Sequence, residues 1–134
     1  MWVCGECGRK FARNKQSHSC IQNDPEDLFI GKGDLIRNVY NVLISRVKEF
    51  GEIEVFAVKW NLTIRRLTTF LSIMVEKNHL TLVFISLEPI EEFPVYQNHQ
   101  RSAKRFSNVM KIESVDEIDE QLIRWLKEAW ELAG

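Results

Sequence analysis

The stretch Thr69-Phe-Leu-Ser-Ile-Met-Val-Glu-Lys-Asn-His-Leu-Thr-Leu-Val-Phe-Ile-Ser-Leu87 decides the fold class. Two runs rich in β-branched and aromatic side chains, residues 69–77 and 80–87, flank Asn78-His79, and such runs suit a pleated, half-buried surface. The pattern predicts two antiparallel strands joined by a tight turn, whose type stays open because no glycine stands in it. Working outward, Ile53 to Val58 has the same strand-like composition, Leu62 to Arg66 is a shorter run, and Lys104 to Ile112 supplies one more strand. Glu88 to Gln100 contains Pro89 and Pro94 and reads as a loop.

Helical periodicity brackets these strands. Leu35/Ile36, Val39/Tyr40, Val42/Leu43, Val47 and Phe50 recur at three- and four-residue steps, with Asp34 as the expected N-cap and Gly51 placed to stop the helix. Near the C-terminus Ser114 and Glu117 form a capping-box pattern. Ile118, Leu122, Trp125, Leu126, Ala129 and Trp130 then fall on one face, while acidic residues crowd the first turn, where the helix dipole favours them. The expected architecture for residues 34–134 is therefore α+β: an antiparallel sheet of four or five strands with an N-terminal and a C-terminal helix packed on one face. A small zinc-binding module precedes it at residues 1–22, and residues 23–33, with Asn23, Asp24, Pro25, Gly31 and Gly33, read as a linker into which Phe29 and Ile30 can dock.

The 134 residues are 45% apolar and 28% charged, with 18 Lys+Arg against 19 Asp+Glu. That is the composition of a globular protein, and it excludes collagen and disordered tails. No run reaches the roughly 18 apolar residues that a membrane helix needs, and the first twenty residues carry four basic side chains and no hydrophobic signal region, so a cytoplasmic protein without a membrane partner is expected. The near-neutral total conceals unlike parts: Arg9, Lys10, Arg13 and Lys15 face Glu6 alone in residues 1–20, an excess of three positive charges, against an excess of four negative ones in the remainder.

All three cysteines lie within those first twenty residues. Cys4-x2-Cys7, followed by His18-x-Cys20, offers three thiolates and an imidazole, the four ligands a closed tetrahedral zinc site takes. Gly5 and Gly8 relieve crowding around the paired cysteines, and a tight turn must bring His18 and Cys20 together. One structural Zn2+ is the expected cofactor. Its closed shell leaves no position for a reacting water, and the metal would supply most of the folding energy of so short a segment.

The lead also carries the residues of a small nucleic-acid contact surface, Arg9, Lys10, Arg13 and Lys15 beside Trp2, Phe11 and His18, although a solvated face around the metal has the same composition. Arg65 with Arg66, and Lys104 with Arg105 near Arg101, are two further basic groups. Solvated faces explain them too, but convergence at one end of the sheet would make an anion pocket. His79 and His99 have no nucleophile or carboxylate at a catalytic spacing, and no nucleophile elbow, phosphate loop or paired-carboxylate motif is present. Trp60, Trp125 and Trp130 read as core or rim aromatics.

The lead Trp2-Val-Cys-Gly-Glu-Cys-Gly-Arg-Lys-Phe-Ala-Arg-Asn-Lys-Gln-Ser-His-Ser-Cys20 resembles the short zinc-finger-like segment preceding many members of domain of unknown function family 5655. The body from Pro25, and above all Val115 to Asp119 with Leu122, Trp125, Leu126 and Lys127 to Trp130, resembles that domain itself. The resemblance implies an α+β domain and metal ligation by Cys4, Cys7, His18 and Cys20, and it brings no catalytic residue. The leading functional expectation is a non-enzymatic, zinc-stabilised binding module with nucleic acid as partner of the basic lead. The alternatives are a small-molecule or anion-binding domain using Arg65, Arg66, Lys104 and Arg105, and a protein-interaction adaptor.

Overall fold

The computed structural model describes residues 2–3, 10–11, 28–58 and 61–134. A two-stranded antiparallel sheet comes first, β1 (Trp2–Val3) with β2 (Lys10–Phe11), pairing Trp2 with Phe11 and Val3 with Lys10. Helix α1 (Asp34–Lys48) follows, then β3 (Glu54–Val58), β4 (Asn61–Arg65), β5 (Thr69–Val75), β6 (Leu80–Ser86), β7 (Gln97–Ser102), β8 (Arg105–Ile112) and helix α2 (Glu120–Leu132). The α+β class is as expected, but the main sheet has six strands, all antiparallel, in the order β3-β4-β5-β6-β8-β7.

The additional strand is β7, whose first four residues, 97–100, end the segment read as a loop. Its sequence, Gln-Asn-His-Gln-Arg-Ser, is exposed at all six positions and carries no apolar alternation. Pairing with β8 makes it a strand, and Asn98 opposite Asn108 fixes the register. The quoted hairpin is as read: Leu71 pairs with Phe84 and Ile73 with Leu82, and Glu76 N donates to His79 O across the turn at 3.0 Å.

Alternation along the sheet defines an inward face. Leu62, Ile64, Leu71, Ile73, Leu80, Leu82, Phe84, Met110 and Ile112 are each at most 1% exposed. They form one hydrophobic cluster with Ile36, Val39, Leu43 and Val47 of α1 and Leu122, Trp125, Leu126 and Ala129 of α2. Helix α2 lies across β5 and β6, and α1 packs against α2. Trp125 stacks on Phe84, with centroids 5.9 Å apart and planes 19° from parallel. Apolar burial of this kind, about 25 cal/mol per Å2 removed from water, is the main term holding helices to sheet.

Both helix starts differ from expectation. The N-cap of α1 is Gly33 at φ 85°, a left-handed conformation that glycine adopts without a Cβ penalty, and Asp34 is the first helical residue. At the C-terminus Ser114 precedes only a three-residue 3-10 turn, Val115–Glu117, and Glu117 Oε2 instead accepts from Glu113 N at 2.6 Å. Helix α2 begins later, where Asp119 accepts from Leu122 N at 2.9 Å. The linker docks through Phe29, 8% exposed, whose ring centroid lies 5.0 Å from that of Tyr40, whereas Ile30 remains 74% exposed.

Candidate functional site

Antiparallel order brings Arg65, the start of β5, the end of β6 and the start of β8 to one end of the sheet. Helix α2 ends there too, because Leu67 N and Thr68 N both donate to Ala133 O, at 3.0 and 3.1 Å. A cavity of about 770 Å3 opens at this corner, bordered by Glu52, Glu54, Arg65, Arg66, Leu67 and Trp130 among others.

The cleft's cations are already engaged. Arg65 is buried at 9% exposure, donates to Leu67 O at 3.1 Å and stands opposite Glu54 in the β3–β4 register. The Arg66 guanidinium lies 3.7 Å from the Trp130 ring centroid and donates to Trp130 O, 3.3 Å away. Trp130 Nε1 in turn donates to Glu52 O at 3.1 Å. Two arginines and two glutamates therefore share the cavity, and Arg66 clamps the end of α2 to the β4–β5 turn. Stacking a guanidinium on an indole face contributes roughly 0.5–2 kcal/mol, more when water is excluded.

Lys104 and Arg105 do not join that cleft. They lie at the β7–β8 turn, and three strand spacings of about 4.8 Å separate β8 from β4. Lys104 borders a separate shallow cavity with Glu88 and Glu91. Next to it, Glu88, Glu91, Glu92, Glu128 and Glu131 rim a third cavity of about 540 Å3 whose floor includes Trp125. An acidic wall thus stands beside Lys104, so the four basic residues form no single anion pocket.

The family model described as Domain of unknown function (DUF5655) matches residues 26–133. The chain belongs to this family. Comparison with curated proteins gives no match, and neither does comparison with solved structures.

The matched span of the DUF5655 domain runs from before Phe29 to the end of α2. Before that span, Lys10 lies on β2, while Cys4, Cys7, His18, Cys20, Arg9, Arg13 and Lys15 lie outside the described residues; within the span, Trp60 does too. Among the described residues no group of His, Cys, Asp and Glu is arranged to hold a metal. Among the described residues of the DUF5655 domain, no helix is long and apolar enough to cross a membrane.

Asn108, 0% exposed on the inward face of β8, makes four side-chain hydrogen bonds. Its Oδ1 accepts from Ile90 N at 3.0 Å and Asn98 Nδ2 at 2.8 Å, and its Nδ2 donates to Phe84 O at 3.2 Å and Ser86 Oγ at 2.9 Å. All four bonds an amide can make are present. They hold the loop after β6 and the edge strand β7 to the core. Nothing in the sequence distinguishes Asn108 from a surface asparagine on a strand, because the partners come from positions 10 to 24 residues away.

Proposed function

We propose that this protein is a non-enzymatic nucleic-acid-binding module whose basic lead is held by one zinc ion on Cys4, Cys7, His18 and Cys20. The observation that carries the reading is the antiparallel pairing of Trp2–Val3 with Lys10–Phe11. It encloses Cys4-x2-Cys7 in the six-residue connection between the two strands. A Cys-x2-Cys pair between two paired strands suits a tetrahedral ion, and His18-x-Cys20 completes the donor set. Lys10 begins β2 and Arg9 precedes it in the sequence, so closing the metal site would also gather positive charge for phosphate contact.

The test is metal analysis combined with salt-dependent binding of the full chain. One zinc per chain is expected, lost in Cys7→Ser. Oligonucleotide affinity should fall steeply between 50 and 200 mM salt, and Arg9→Ala/Lys10→Ala/Arg13→Ala should flatten the log–log salt dependence by roughly 0.7–0.9 for each phosphate contact removed. A chain that binds no metal, or no oligonucleotide at 50 mM salt, refutes the reading.

A small-anion reading of the Arg65–Arg66 cleft ranks second, supported by the volume of that cavity. Against it stand the engagements of both arginines and the two glutamates beside them. Stabilisation by millimolar phosphate in a thermal-shift experiment, abolished in Arg66→Ala, would favour it over the first reading.

A further inference from the structure

We infer that the outward face of the β7–β8 hairpin is a binding surface for single-stranded nucleic acid, separate from the basic lead; the inference rests on the nucleic-acid reading above and names its partner class. From Phe93 to Ile112 the chain carries Arg101, Lys104, Arg105 and Lys111 and no carboxylate, in a protein whose net charge is −1. The register sorts these cations by face. Asn98, Asn108, Met110 and Ile112 point inward, so alternation puts Arg105, Ser107, Val109 and Lys111 outward on β8, opposite His99 and Gln97 of β7. Arg101 belongs to the outward group, because its Nε donates to Ser107 Oγ at 2.7 Å. Lys104, beside Glu88 and Glu91, belongs to the other side.

Three cations therefore line one face, with Arg105 and Lys111 about 20 Å apart along β8 at 3.3 Å per residue. None of them forms an ion pair with a described carboxylate; the ion pair formed among the described residues is Arg46–Glu49. An aromatic ring lies in the same patch: Tyr96 is 54% exposed, and Lys111 Nζ lies 5.6 Å from its ring centroid. Across β6 and β5 the outward positions continue uncharged: Val83, paired to Ser72 and Val109, is half-buried like Ser72, whereas Thr81, Ser107 and Val109 are buried. Cations at the rim, an exposed ring and a neutral floor are what a strand with splayed bases needs: phosphates meet the cations and a base stacks on the ring.

A duplex suits this surface less well. A major groove admits a free two-stranded ribbon, but β8 is paired on its other edge to β6 along Leu80–Ser86, so the hairpin is part of a wide sheet.

The experiment measures fluorescence anisotropy of the full-length, zinc-loaded chain with 12-nucleotide oligo-dT and oligo-U and with a duplex of equal length, at several salt concentrations. Arg105→Ala/Lys111→Ala should weaken single-strand binding at least tenfold at 50 mM salt and flatten the log–log slope by about 1.4, roughly 0.7 for each cation. Tyr96→Ala should weaken it about 5- to 100-fold with the slope unchanged, Tyr96→Phe should bind as the parent does, and Lys104→Ala should change little. Unaltered thermal unfolding of the variants confirms that the fold is kept. Parent-like affinity of both hairpin variants, with binding lost in the Arg9/Lys10/Arg13 triple variant, overturns this inference and leaves the lead as the contact. The converse result supports the hairpin and removes the lead. Tighter binding of duplex than of single strands overturns the assignment of partner.

Discussion

Asn108 is held on the inward face of β8 by four hydrogen bonds to three separate segments. Replacing it with leucine keeps the shape but leaves Ile90 N, Phe84 O and the Asn98 amide without that partner inside the protein. Because each stranded buried polar group costs about 1–3 kcal/mol, Asn108→Leu should lower unfolding free energy by on the order of 3 kcal/mol or more in urea denaturation. A loss below about 1 kcal/mol would mean that water replaces the amide. Gly51 is the second residue whose identity is dictated by its surroundings. It stands at φ 148°, and a β-carbon there would lie 2.6 Å from Trp130 Cζ2. Gly51→Ala should therefore destabilise by about 1–3 kcal/mol through backbone strain, with the clash in addition. A double-mutant cycle separates the two: in a Trp130→Leu background the clash disappears, so the cost of Gly51→Ala should fall and the remainder measures the strain. The sequence marks Gly51 as the helix stop, but α1 ends at Lys48 with Glu49 as its C-cap, and the partner that constrains Gly51 lies 79 positions away, where no local pattern announces it.

At the scale of elements, α2 illustrates how a motif can sit one turn from where it acts. Ser114 and Glu117 have capping-box spacing, yet Ser114 makes no side-chain cap bond, and Asp119 is the residue that caps the long helix. Asp119→Ala should cost about 1 kcal/mol in thermal or urea unfolding, whereas Ser114→Ala should cost less than about 0.5 kcal/mol. Equal effects would contradict the assignment. The acidic cluster at 116–120 hid the boundary, because Asp and Glu are favourable throughout a first turn and so mark the region without marking the residue. Strand β7 is the complementary case. Strands β3 to β6 and β8 were legible from β-branched and aromatic runs, since each must bury a face. An edge strand with every side chain exposed has no face to bury, so its composition carries no such signature.

For the whole molecule, charge is the property that links fold to function. Three basic groups, the lead, Arg65–Arg66 and the β7–β8 hairpin, are visible in the sequence as runs of cations. Their fates differ because topology distributes them: Arg66 becomes a clamp on Trp130, Lys104 faces glutamates, and Arg101, Arg105 and Lys111 share an outward face. If the zinc-bound lead folds through its metal, a chelator should release one zinc per chain and weaken oligonucleotide binding. The main cooperative unfolding transition should stay where it is, because among the described residues the core cluster is built from Phe29 onward. A collapse of that transition on chelation would show that the lead is part of the domain's core.

What the sequence determined by itself is whatever depends on local period and composition: the two helices, five of the six main-sheet strands, the α+β class and the four-ligand pattern of the lead. Tertiary structure alone decided the sixth strand, the cap of α2, the buried network of Asn108 and the separation of Arg65–Arg66 from Lys104–Arg105. Each of those rests on contacts between residues far apart in the chain, and hydrogen bonding and charge act on distance in space, which the order of residues does not reveal until the strands have found their neighbours.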